Sequence, residues 1–93
     1  MIKIEILQKA IEKWGDLAQI DKIQEEAQEL ALALHQFKCP TKNPIKEMNN
    51  IYSELADMKI MMQYAELLFN PDRINLVVKQ KMDRLEKLIN TSK

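Results

Sequence analysis

The chain has 93 residues, enough for one domain with one modest core. Its 14 Lys and Arg balance 14 Asp and Glu, so no net field argues for nucleic acid or an anionic membrane as a partner. A single cysteine excludes an internal disulfide and fits a reducing, cytoplasmic compartment. No apolar run approaches the roughly 20 residues that span a bilayer, and Lys3 and Glu5 interrupt the apolar start, unlike a signal peptide.

With one glycine and three prolines, few positions break a helix, and long helices are expected throughout. The first runs from residue 2 to about 14, where Ile4, Leu7, Ile11 and Trp14 repeat at the spacing of a buried stripe. Gly15 ends it and Asp16 is placed to cap the next helix.

The second helix runs from about Leu17 to Phe37 or Lys38, with Ile20, Ile23, Ala27, Leu30, Leu34 and Phe37 as its seam. At about 100° per residue, Glu26 falls at the edge of that seam, Glu29 further round and Glu25 near the opposite side. Residues 39–44, Cys39-Pro40-Thr41-Lys42-Asn43-Pro44, read as a loop. Cys39 has no base or cation beside it in that loop, and His35 falls on the polar side of the second helix.

The third helix spans about Ile45 to Phe69. Ile51, Leu55, Met58, Met61, Met62, Ala65, Leu68 and Phe69 cover more than half of its circumference. A surface helix needs an apolar stripe of only about 100°, so this one is expected at the centre, packed on both sides, with a second subunit as one of its neighbours. Glu54 lies inside the apolar arc and Asp57 at its margin, although carboxylates are seldom buried without a partner. Asn70-Pro71-Asp72 starts the fourth helix, Asn70 as N-cap and Pro71 at the first helical position. Its seam is Ile74, Val77, Val78, Lys81, Leu85, Leu88 and Ile89. Lys81 lies within the arc, with Arg84 beside it one turn on, and either snorkels to water or supplies an inward cation.

The chemistry is carried by Glu25-Glu26-x-x-Glu29, answered by Glu54-x-x-Asp57. Residues three apart on a helix share a face. If the two helices pack antiparallel, Glu26, Glu29, Glu54 and Asp57 converge. Such a cluster without His or Cys is a poor zinc site and a good site for Mg²⁺, with Mn²⁺ as a substitute. Mg²⁺ commonly binds together with substrate phosphates. A solvated helix face paired with Lys22 accounts for the first triplet alone; it does not account for Glu54 inside an apolar arc.

These residues resemble the all-α nucleoside triphosphate pyrophosphohydrolases, the MazG-like group. The likeness rests on the two spaced acidic motifs, on Ala10-Ile11-Glu12-Lys13-Trp14-Gly15 followed by Gln19, and on Ala56-Asp57 followed by Ile60-Met61-Met62. It covers roughly residues 8 to 88 of a single domain, 1–93. Position 53 is Ser, where many members carry a further Glu. The resemblance implies an all-α, four-helix bundle-like subunit assembled as a homodimer or a dimer of dimers. It implies hydrolysis of a (deoxy)nucleoside triphosphate to monophosphate and pyrophosphate. Glu26, Glu29, Glu54 and Asp57 then take metal-ligand roles, Glu25 with Glu26 acts on the attacking water, and Lys81 and Arg84 bind phosphate. Trp14 reads either as core or as a stacking platform for a base, and Gln19 as a reader of a base edge. The alternative is a non-catalytic helical module that binds nucleotide or protein.

Overall fold

The computed structural model describes residues 1–39 and 43–92. The described residues form four helices: α1 (Ile4–Trp14), α2 (Asp16–Lys38), α3 (Pro44–Leu68) and α4 (Pro71–Thr91). No helix is long and apolar enough to cross a membrane. The expected all-α architecture is present.

The helix boundaries follow from local chemistry. Gly15 separates α1 from α2 at φ 88°, a region that an L side chain enters only with strain. A Cβ there would meet open space, so glycine is required by the backbone alone. Asp16 does not cap α2 as expected; it is the first helical residue, where its charge favours the positive end of the helix dipole. Asn70 caps α4 by accepting from the backbone N–H of Asp72 at 2.9 Å and of Arg73 at 3.2 Å. Asn43 does the same for α3, accepting from the Lys46 N–H at 3.0 Å, with Pro44 at the first helical position. The two Asn-Pro pairs are thus the same start signal used twice. Pro40, Thr41 and Lys42 of the expected loop lie outside the described residues.

The core is the α2–α3 pair, the most extensive helix contact in the chain. The pair is antiparallel: Gln19 shares a cleft with Met61 and Tyr64, whereas Glu26, later in α2, meets Glu54 and Asp57, earlier in α3. Among the described residues α3 alone touches all three other helices, which gives it the central place that its wide apolar arc requires. The buried apolar side chains among the described residues are few: Leu7, Ala10, Ala33, Ile51 and Met61. The α2 seam is rotated from expectation. Its buried line runs through Gln19, Glu26 and Ala33, while Leu34 and Phe37 stay exposed.

The fourth helix stands off this core. It meets α3 and no other helix, and Val77, Val78, Leu85, Leu88 and Ile89 are all exposed. The radius of gyration is 16.7 Å, against about 12 Å for a compact chain of this length.

Met61, on α3 facing α2, is the most deeply buried apolar side chain among the described residues, 5% exposed. Met61→Ala is expected to lower the unfolding free energy by about 2–4 kcal/mol, the usual cost of truncating a buried Met without collapse of the site. Urea denaturation followed by circular dichroism measures it; a change below about 0.5 kcal/mol, typical of surface positions, would show that α2 and α3 do not form the core.

Candidate metal centre

Two overlapping carboxylate groups lie where α2 faces α3. Oxygens of Glu26, Glu54 and Asp57 lie within 4.8 Å of one another, and so do those of Glu25, Glu26 and Glu29. Glu26 belongs to both. The structure therefore gathers the five acids of the two sequence motifs around one side chain. Helical spacing does the local work: Glu26 and Glu29 are neighbours on α2, Glu54 and Asp57 on α3, and the antiparallel packing brings the pairs face to face.

Burial divides them. Glu26 is only 6% exposed, Glu54 and Asp57 are half-buried, and Glu25 and Glu29 lie at the surface. The Lys22 ammonium pairs with Glu26 Oε1 at 3.3 Å. Glu26 Oε2 and Glu54 Oε2 are buried and accept no hydrogen bond. Orphaned buried acceptors are uncommon, and each one in a native fold calls for an explanation.

Proton affinities respond as electrostatics requires. The charge of Glu26 holds the Glu29 carboxyl above the usual carboxylate range, with loss of hydration adding to it. Glu54 is raised by burial first, then by the charges of Glu26 and Asp57. Asp57 is raised by burial and by Glu26, and Lys22 opposes the shift. The lysine itself is held above its ordinary value, chiefly by its bond to Glu26. One ammonium is thus set against five acids.

This donor set fits a hard divalent cation. Octahedral Mg²⁺, with bonds of about 2.1 Å, places its ligand oxygens about 3.0 Å apart when adjacent and 4.2 Å when opposite. Oxygens within 4.8 Å of one another lie close to that span. No His or Cys belongs to either group, which disfavours zinc.

The other sequence candidates fall in two places. Lys81 and Arg84 are exposed on α4, which makes no contact with α2. Among the described residues neither forms an ion pair, so within one chain the structure does not bring them to the acids. Trp14 and Gln19 line a cleft next to the cluster, together with Ala18, Lys22, Met61 and Tyr64. Trp14 is 62% exposed and so is not core. Tyr64 is the one lining residue with polar chemistry that sequence reasoning missed. Its signal was present: it follows Asp57 by seven residues, two turns along the same face of α3. A larger cleft of about 800 Å³ lies between the N-terminal residues and α3. None of the acids lines it, and its walls are mostly apolar, so it is an uncovered helix face rather than a reaction site. His35 and Cys39 correct a further expectation. His35 Nε2 lies 3.8 Å from Cys39 Sγ, so the thiol does have a base beside it, one turn back on α2.

No family model matches the chain, and neither the curated proteins nor the solved structures contain a match.

Because Glu29, Glu54 and Asp57 are raised in the folded chain, they hold protons more tightly folded than unfolded. The folded state is favoured at low pH and loses that advantage as pH climbs from the ordinary carboxylate value, about 4, through the raised folded values. In EDTA, thermal stability is expected to fall over that window. Glu54→Gln should flatten the dependence and raise the melting temperature at pH 7. Melting curves between pH 4 and 7.5 decide it: a flat wild-type profile, or a Gln variant less stable at pH 7, would refute repulsion within the cluster.

Proposed function

We propose that the chain is a Mg²⁺-dependent nucleoside triphosphate pyrophosphohydrolase, acting on non-standard or surplus (deoxy)nucleoside triphosphates in the cytoplasm. The observation that carries this reading is the state of Glu26: nearly water-free, bonded to Lys22 through one oxygen, orphaned at the other, and flanked by Glu54 and Asp57. A group built for stability alone would have both oxygens satisfied or be replaced by an apolar residue. A divalent cation answers the charge and the orphaned oxygens together, and Mn²⁺ can substitute.

In this reading Glu26, Glu29, Glu54 and Asp57 hold the ion. When bound, it would neutralise substrate phosphate oxygens and acidify a coordinated water. Glu25, exposed beside Glu26 and Glu29, is placed to receive a proton from the water that attacks the α-phosphorus. The bond from that phosphorus to the bridging oxygen breaks, and pyrophosphate leaves with the bridging oxygen. Lys22 orients Glu26 through their ion pair.

Assembly belongs to the same proposal. The uncovered seam of α4, the exposed Tyr52, Leu55 and Met62 of α3 and Phe69 just after it form an apolar surface that a lone soluble chain seldom leaves open. A homodimer, or a dimer of dimers, covers it. Lys81 and Arg84, out of reach of their own acids, then meet the phosphates of a neighbouring site. The same apolar surface is what favours the second reading, a non-catalytic module that binds nucleotide or a protein through its helices.

Incubation of the purified protein with Mg²⁺ and a panel of nucleoside triphosphates is expected to release pyrophosphate and not orthophosphate, and Glu54→Ala to abolish release. Mg²⁺ at a hundredfold excess over its Kd should add about 2.7 kcal/mol to stability, or roughly 10–20 °C in melting temperature for a domain of this size. Mg²⁺-dependent nucleotide binding without turnover would favour the non-catalytic module. Full activity in Glu54→Ala would remove the acids from the mechanism.

A further inference from the structure

The acids between α2 and α3 come with a cation of their own. The Lys22 ammonium lies 3.3 Å from Glu26 Oε1, one turn earlier on α2. Pairs four residues apart on a helix are common on surfaces and contribute little there. This one differs at its far end. The Lys22 side chain is half exposed, whereas Glu26 keeps only 8% of its side-chain surface. The second oxygen of Glu26, Oε2, is buried and accepts no hydrogen bond. Oxygens of Glu54 and Asp57 lie within 4.8 Å of it from the α3 side. Lys22 thus serves a charge that is nearly closed off from water and crowded by other acids.

That ammonium is replaceable. It is a compact, strongly hydrated point charge on a flexible stem, and with water beside it a rotamer change returns it to solvent. Glu26 has no such escape. A divalent cation carries twice the charge and takes oxygens from several carboxylates at once. With that ion on Glu26, two cations would share one carboxylate in a site short of water, where their repulsion is strong. The partner with a route to solvent is the one that leaves. A free monovalent cation brings no more charge than the ammonium already in place, and must also give up its own translational freedom.

We propose that Lys22 is the cluster's own counter-ion, which a divalent cation displaces from Glu26 and a monovalent cation does not. The inference rests on the metal reading of the acids and adds which ions can enter and what they replace. The ion pair orients Glu26 in the metal-free protein, and the arriving ion takes its place. Linkage makes the two effects equal: the factor by which a bound ion weakens the Lys22–Glu26 pair is the factor by which the pair weakens the ion.

Calorimetric titration of Mg²⁺ into the wild type, Lys22→Met and Lys22→Arg tests this, with the ¹³Cε resonance of Lys22 followed in the wild type. Lys22→Met removes the competitor and should bind Mg²⁺ about tenfold more tightly, a usual size for coupling between sites. It should melt below the wild type in EDTA and level with it at saturating Mg²⁺. Lys22→Arg keeps the charge but grips a carboxylate with a planar fork, and should bind Mg²⁺ severalfold more weakly. The Lys22 resonance should move to the position of solvent-exposed lysines as Mg²⁺ saturates, and stay in place in KCl of equal ionic strength. An unmoved resonance with Mg²⁺ bound, or Lys22→Arg binding as tightly as wild type, would overturn displacement; movement in KCl would overturn the selectivity. Equal affinity in all three proteins would remove Lys22 from the site and leave the metal reading standing. Absence of Mg²⁺ binding in all three would sink both. Displacement without pyrophosphate release from any nucleoside triphosphate would uphold the counter-ion and refute hydrolysis.

Discussion

The constraint on which the rest depends is the burial of one carboxylate. Packing α2 on α3 excludes water from Glu26 and sets it against Glu54 and Asp57. Taking a charge out of water is costly unless it is paired and fully hydrogen-bonded, and Lys22 satisfies only one of its oxygens. The helix contact that supplies most of the core therefore also carries its main electrostatic liability. Apolar burial elsewhere must offset it. Leu7, Ala10, Ala33, Ile51 and Met61 are few for that task, and two of them are alanines. A fold this thinly packed tolerates such a cluster at a position where something other than stability maintains it.

Much of this arrangement was legible in the sequence, and the parts that were not have physical reasons. Helical periodicity gave the four helices, and the Asn70-Pro71 start was readable because a cap and a preset φ point the same way. The identical pair Asn43-Pro44 was absorbed into a loop, because Pro40 so close by made the whole stretch look like a breaker. Convergence of Glu26 with Glu54 and Asp57 followed from spacing plus antiparallel packing, and the structure has it. The depth of Glu26 did not follow. A seam drawn through the most hydrophobic residues placed it at an edge, while the real contact line runs through Gln19, Glu26 and Ala33. Hydrophobicity cannot locate a face whose buried members include polar side chains. Trp14 misled in the converse way: a large aromatic at core spacing proved to be exposed.

The fourth helix shows the limit of periodicity of another kind. Its stripe is well formed, yet among the described residues the helix meets α3 alone and leaves the stripe open. A pattern states that a face will be covered; it does not state by what. Among the described residues α2 already packs against α3 and α1. The open face of α4 is what the proposed assembly would cover, and it has a consequence for charge. The chain is neutral overall, but its acids crowd the α2–α3 face while Lys81 and Arg84 ride on the helix that stands apart.

Proton and cation affinity at the cluster share one origin. Glu29, Glu54 and Asp57 are each harder to ionise because their neighbours are already charged and water is scarce. The same field that attracts a proton attracts a divalent cation twice as strongly per site, and the cation can bind several oxygens where a proton binds one. Metal binding must therefore release protons from Glu29, Glu54 and Asp57 and lower their apparent pKa values. Lys22 cannot play that part. It is a single charge on a flexible stem, it engages Glu26 alone, and its strengthened hold on its own proton marks how much negative potential it leaves unanswered. The ion proposed for the site would bring more charge and more coordination positions than any side chain of this protein offers.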